Sequence, residues 1–302
     1  MAAGFATPAL AAPHVAHGRF ERLRDQDLRV ATVAYRLATA NAARCENAMV
    51  PQLGFVLHSI DQYGLADRDD AARSFGLGRQ VGVMAVVGGS PAAAAGLVAG
   101  DRLVSVNRRD LGVVSGETAP SLASVNRAQA ILAEEMSRGA VSLRVAGARG
   151  ERVVSFLSAM GCPSRVELIP GEQVNAWADG ARVMIGEGLL RRCNTDDELA
   201  LVIAHEMAHN LLNHLHRLAA EGIFTNGLLP MTEAGSAAMR QTEEEADQLA
   251  VKLVGAAKFD LAGAEAFMSS LLNRDFAVVA SHPARDRRLM LLRAAIAELP
   301  RS

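Results

Sequence analysis

The sequence predicts an α+β protein: a mainly helical domain with a small edge sheet, and a β-rich domain inserted after the first helix. Three observations carry this. Apolar residues recur at helical spacing between residues 19 and 49. From Pro51 to Phe156 the composition shifts to short Gly- and Val-rich runs. Beyond Ser158 the helical pattern returns and holds two histidines four residues apart. The 302 residues are enough for two domains of ordinary size. With 50% hydrophobic and 21% charged residues the composition is that of a globular protein. The formal net charge of -2, the lack of a basic run and the few aromatics (4%) exclude nucleic acid as a partner. No window reaches the roughly 18 uncharged apolar residues of a membrane span, so at most peripheral attachment is expected.

Residues 1–18, "MAAGFATPALAAPHVAHG", admit two readings. Ala9-Leu10-Ala11 before Ala12 fits a signal-peptidase site, but a positive start and a full apolar core are missing. The stretch is a remnant of a leader, which places the protein in the periplasm or cell envelope, or a disordered tail, which leaves the cytoplasm open. Residues 19–49 read as one helix. Its face of Val30, Val33, Ala34, Leu37, Asn41 and Cys45 is expected to pack on the C-terminal domain. The three cysteines form no CxxC pair, so a cysteine zinc site is not expected. Three buried thiols is the default. In an oxidising compartment Cys45 and Cys162 would pair, since each adjoins a boundary of the middle domain.

Residues 50–156 carry strand-like runs at Leu53–Ile60, Val81–Val87 and Gly100–Asn107. A hairpin follows at Val141–Phe156, and helical periodicity runs from Ser121 to Ser137. The stretch "GSPAAAAGLVAGDRLVSVN", Gly89 to Asn107, resembles a PDZ domain. Leu53-Gly54-Phe55 upstream matches the loop that in PDZ domains captures a peptide C-terminal carboxylate. The spacing resembles the PDZ domains of the HtrA proteases. Physical chemistry agrees: backbone N–H groups around Gly54 can form an anion-binding nest, and a free strand edge can accept an extended peptide. The alternative is a small β domain used only for packing.

Residues 157–302 open with two or three short strands between Arg165 and Leu190, with turns at Pro170-Gly171 and Asp179-Gly180. A helix then starts at Thr195, which forms a capping box with Glu198, and runs past His214. Another spans about Ala237 to Gly255. Two more follow, the last opened by "SHPARD" with Pro283 in its first turn.

On the Thr195 helix, His205 and His209 share one face, where two imidazoles can hold one tetrahedral zinc. Glu206 lies about 100° round, off the metal but able to serve a water beside it. This is the HExxH arrangement. Its flanks, "LALVIA" and "NLL", are apolar. Burying these polar groups without partners would cost several kcal/mol, a cost that a metal removes. The alternative is histidines satisfied by hydrogen bonds on a core helix. A third ligand is sought in "TEEEADQLA". Ala246, Ala250 and Leu253 mark the buried face, Glu243 shares it, and Asp247 lies one turn on, able to accept the N–H of a ligating histidine. Glu244 and Glu245 then face solvent.

"HEMAH" with "EEEAD" resembles the gluzincin metallopeptidase family that includes the CAAX prenyl proteases, HtpX and the soluble periplasmic protease BepA. "NAWADG" followed by "VMIGEGLL" resembles that family's strand and turn ahead of the zinc helix. "SHPARDRR" resembles its C-terminal Ser-His-Pro segment followed by an arginine. His214 also matches, but lies five positions after His209, off the ligand face, and reads as structural. The resemblance covers about 145 residues plus the first helix. It implies a zincin fold with one Zn2+ held by His205, His209 and Glu243, and with Asp247 and Arg288 in support. It also implies Glu206 as general base and His282 on the developing oxyanion, its segment braced by Arg288. Membrane members of the family carry transmembrane spans, some between the zinc helix and the third ligand. Here that connection is about twenty residues, Glu221 to Met239, which argues against a membrane-embedded site.

The function expected is a soluble zinc endopeptidase that cleaves unfolded or damaged proteins laid along an edge strand at Arg182–Ile185. The PDZ-like domain either recruits C-terminal tails or gates the site. Two other readings stand beside it: a PDZ-based binding or chaperone-like adaptor with a latent or structural zinc site, and a zinc hydrolase of non-peptidic substrates.

Overall fold

The computed structural model describes residues 18–114, 118–163, 165–223, 233–272 and 285–300. The first helix, α1 (Arg19–Ala40), buries Val30, Val33, Ala34 and Leu37 in the core of the C-terminal domain, as the periodicity requires. It stops nine residues short of Met49, where the sequence pattern had it ending. Asn41 ends it: its side chain donates to the Leu37 carbonyl (2.9 Å) and to the Leu253 carbonyl (2.9 Å). Such side-chain bonds compete with continued helix, and a 3₁₀ turn, Ala42–Cys45, follows.

After β1 (Val50–Pro51), the β-rich domain comprises β2 (Phe55–His58), α2 (Arg68–Phe75), β3 (Gly82–Val86), α3 (Pro91–Ala94), β4 (Arg102–Val106), β5 (Arg109–Asp110), α4 (Ala123–Ser137), β6 (Val141–Gly147) and β7 (Gly150–Phe156). The strands form an antiparallel sheet in the order β2-β3-β4-β6-β7, with β5 on β4. Val125, Ala128, Leu132 and Met136 of α4 share a core with Phe55, Leu57, Val83 and Leu103. On the opposite face of β2 and β3, Val56 and Met84 meet Phe75 of α2 and Phe20 and Leu23 of α1. The first helix therefore packs on both domains rather than on the C-terminal one alone.

The Gly100-Asp101 pair has a structural use. Asp101 is buried, accepts from the Val98 N–H (2.9 Å) and pairs with Arg152. Gly54 lies at φ 70°, and a Cβ there would meet the Ser90 Cβ at 2.6 Å, so glycine is required. Ser90 caps α3 and donates to the Gly54 carbonyl (3.2 Å), tying the Leu53–Phe55 loop to "SPAAAAG".

The chain returns through β8 (Met160–Gly161), which pairs antiparallel with β1. Beside that pair Cys45 and Cys162 form a disulfide, Cα atoms 5.2 Å apart, across 117 residues of sequence. The default of three buried thiols is thus corrected. The β1–β8 pairing brings the two cysteines together, and only Cys193 remains a buried thiol, pushed up to about 12 by its burial.

The C-terminal domain has β9 (Arg165–Ile169), β10 (Ala176–Ala178), β11 (Arg182–Gly186), α5 (Glu187–Leu190), α6 (Asp196–Leu211), α7 (His214–Ala220), α8 (Glu233–Ala256), α9 (Ala264–Leu272) and α10 (Arg285–Ala297). The sheet order is β10-β11-β9, with β11 parallel to β9 and antiparallel to β10. The Arg182–Ile185 strand, expected at the edge, is the central strand; the edge nearer the site is β10. The capping box forms as read: Thr195 Oγ accepts from the Glu198 N–H (3.2 Å), and Glu198 accepts from the Thr195 N–H (3.4 Å). The helix does not run past His214, however. It ends at Leu211, Asn213 takes the left-handed conformation (φ 53°, ψ 36°), and α7 begins at His214. Pro283 lies outside the described residues. Among those described, no helix is long and apolar enough to cross a membrane.

Candidate metal centre

Helices α6 and α8 lie side by side, with Leu199, Ile203 and Met207 of one and Ala250, Val251 and Val254 of the other in a common core. That packing turns His205 and His209 toward Glu243. The two Nε2 atoms are 3.1 Å apart. Oε2 of Glu243 lies 3.5 Å from His205 Nε2, and Oε1 lies 3.4 Å from His209 Nε2. Among the described residues this is the group whose donors could hold a metal ion. Donors at about 2.0–2.1 Å from a tetrahedral zinc stand roughly 3.3 Å from one another. The two imidazole nitrogens, 3.1 Å apart, and one Glu243 oxygen facing each of them at 3.5 and 3.4 Å are spaced as a tetrahedral zinc requires, with one donor atom from each residue within 4.8 Å of the others.

Nδ1 of His205 is 3.0 Å from Asp247 Oδ1, close enough to engage it, although its N–H is not aligned on that oxygen. Asp247 is buried and is gripped by Arg288 of α10 through two bonds of 2.7 Å; the same guanidinium lies 3.3 Å from Glu243. Arg288, read from sequence as support for the metal site beside Asp247 and as a brace for the Ser281–Arg288 segment, faces both carboxylates; residues 281–284 of that segment lie outside the described residues. His282 lies outside the described residues.

Burial works against charge on His205, but the Asp247 and Glu243 carboxylates beside it outweigh this and lift its pKa to about 10. Burial, followed by the charge on His205, takes His209 down to about 3. Burial also works to raise Asp247, but the two hydrogen bonds from Arg288 and the neighbouring His205 hold it below the usual range. Glu206 is raised to about 7, chiefly by burial. A carboxylate so poised near neutrality suits proton transfer in both directions.

Glu206 lines a cavity of about 470 Å3 together with His205, His209, Glu243 and Arg288 and with the apolar Val202 and Phe267. Trp177 of the edge strand β10 also lines it. Asn210 ties that strand's turn to the helix: its Oδ1 accepts from the Gly180 N–H (2.8 Å), and its Nδ2 donates to the Arg182 carbonyl (3.0 Å). Sequence reading passed over Asn210, which looks like an ordinary polar residue after HExxH.

Two further residues depart from expectation. Glu244 and Glu245 are part-buried rather than solvent-facing. Glu244 pairs with Arg287, and Glu245 with Arg217 and with His214. His214 is 2% exposed, with Nδ1 2.9 Å from His209 Nδ1. In the β-rich domain, Phe55 is buried in the core while Leu53 is only partly so. The outer edge of β2 is paired with no strand among the described residues.

Comparison with known proteins places these features. Residues 82–146 match the PDZ domain family, and residues 146–231 match Peptidase family M48. The second match takes in His205, Glu206 and His209 and stops short of Glu243. The Beta-barrel assembly-enhancing protease of Escherichia coli (strain K12) is 27% identical over 174 residues, covering 46% of this chain and 36% of that protein. Proteins of the same name from Shigella flexneri and Yersinia pestis match with the same identity and coverage. The chain thus spans little more than a third of the length of these relatives.

Proposed function

We propose that this chain, which carries a PDZ domain followed by a peptidase family M48 domain, is a zinc-dependent endopeptidase acting on unfolded or damaged polypeptides. The observation that carries the reading is the triangle of His205, His209 and Glu243 donors, with the raised Glu206 beside it. We take residues 50–156 as the recognition unit, and residues 157–302 together with the helix of 19–49 as the catalytic unit. His205, His209 and Glu243 would hold one Zn2+. When bound, zinc supplies Lewis acidity, polarising the scissile carbonyl and making water acidic enough to lose a proton near neutral pH. Glu206 takes that proton and returns it to the leaving amine. Asp247, held by Arg288, orients His205. The substrate lies extended against β10, whose outer edge, paired with no strand among the described residues, offers main-chain groups. His282 we keep as the group that hydrogen-bonds the developing oxyanion.

The disulfide supports an oxidising compartment, hence periplasm or cell envelope. The relatives' name ties them to β-barrel assembly, which fits a role in envelope protein quality control. Leu53, Gly54 and Phe55 with the free β2 edge would receive peptide C-termini. Glu206→Gln should keep zinc and lose cleavage of unfolded casein; cleavage at the wild-type rate would overturn the mechanism. Peptide titration separates the two uses of the PDZ domain. Recruitment lowers KM only for substrates bearing the tail, whereas gating speeds turnover of an unrelated substrate.

A further inference from the structure

We propose that His214 and Glu245 are positioning residues for the metal centre: together they hold the His209 ring so that its Nε2 lone pair faces the cation. The inference rests on the zinc reading above.

The backbone break is the first argument. In an unbroken helix, a residue five positions on lies about 140° round from its partner, out of reach. Here Asn213 in the left-handed conformation ends α6 and restarts the chain as α7. His214 thereby swings back edge-on to His209, ring centroids 4.9 Å apart.

The order of donors is the second. Glu245 can only accept, and it is fixed as a carboxylate by Arg217 (2.6 Å) and Gln241 (2.8 Å). Its Oε2 lies 3.1 Å from His214 Nε2, which must therefore carry that ring's proton. Neutral His214 then offers Nδ1 as an acceptor, 2.9 Å from His209 Nδ1. His209 must donate there, which leaves its Nε2 unprotonated beside His205 and Glu243. The chain runs consistently in one direction. The reverse order would put a proton on the nitrogen that should ligate. His205 has its support in Asp247; His214 and Glu245 supply the equivalent for His209, with a second imidazole interposed.

The test is zinc affinity, read by competition with a chromophoric chelator, and the His209 tautomer, read by 15N NMR of the histidine-labelled, zinc-free full chain. His214→Gln keeps one acceptor and one donor; His214→Leu keeps bulk and neither. Loss of outer support typically weakens metal binding about 10–100-fold. That loss is expected for His214→Leu, together with a mixed His209 tautomer, while His214→Gln stays within about threefold. Glu245→Ala, at a part-buried helical position, should weaken zinc similarly and stands in if His214→Leu fails to fold. Wild-type zinc affinity and an unchanged tautomer in His214→Leu or Glu245→Ala would overturn the proposal. A wild-type protein that bound no zinc would sink the zinc reading itself, and the tautomer would still decide the hydrogen-bond order.

Discussion

Replacing Arg288 with methionine removes a buried cation and leaves its partners in place. The guanidinium is 8% exposed, makes two 2.7 Å bonds to Asp247, and lies 3.3 Å from Glu243. Its loss leaves Asp247, 1% exposed, with His205 as its remaining charged partner, and it removes one of the cations that face Glu243 and Glu206. Removing one partner of a buried pair costs about 3–5 kcal/mol. For a unit of 150–250 residues each kcal/mol shifts the midpoint by about 2–4 °C, so a fall on the order of 10 °C is expected. Thermal unfolding should be followed by the fluorescence of Trp177, the single tryptophan, which sits on β10 at the cavity. Chelator must be present so that zinc does not stabilise the folded state by mass action. Asp247→Asn added to Arg288→Met removes the stranded charge and should restore part of the loss, with a coupling of about 0.5–3 kcal/mol. A loss under about 1 kcal/mol, or strict additivity in the double variant, would refute the claim that Arg288 neutralises Asp247.

Three other outcomes follow from the same contacts. Replacing Cys45 and Cys162 with serine opens a loop of 117 residues; the chain-entropy relation gives up to about 5 kcal/mol, and an unchanged denaturation midpoint would contradict it. Asp27 on α1 is raised to about 7 by burial, close to Tyr63. Since 3.8 is its ordinary value, stability is greatest below about pH 4 and is lost as pH rises to about 7. Asp27→Asn should therefore stabilise at pH 8 by at most about 4 kcal/mol, less in proportion to the solvent that reaches the carboxylate, and leave the pH 4 melting point unmoved. Asn210→Ala should lower kcat/KM while zinc affinity holds, because it frees the β10–β11 turn from α6; an equal loss of zinc binding would place Asn210 in the metal site's support.

What could be read in advance was local. Thr195 and Glu198 announce a helix start because both partners lie within one turn, and His205, Glu206 and His209 share a turn of the helix that follows. The α4 periodicity and the Gly89–Asn107 stretch were legible for the same reason. What escaped needed information from elsewhere in the fold. The helix break depends on Asn213 adopting a conformation that its identity permits but does not announce. Glu245 looked solvent-facing because only that break brings His214 and Arg217 down onto it. The strands between Arg165 and Gly186 have similar compositions, so nothing marked β11 as central and β10 as edge. Arg288 meets Asp247 across 41 positions, a separation no periodicity reports.

The clasp formed by β1, β8 and the disulfide makes the β-rich domain a graft. The chain leaves for it and comes back at almost the same point, with Cα atoms 5.2 Å apart. To the rest of the molecule, everything between the two cysteines is topologically equivalent to a long surface excursion. Such a cassette can be exchanged for another module whose ends lie equally close, without rethreading the part that holds the two histidines, so long as the newcomer covers Phe20 and Leu23 of α1. Evolution has the same freedom, and could change the inserted β-rich domain while leaving the helical one alone.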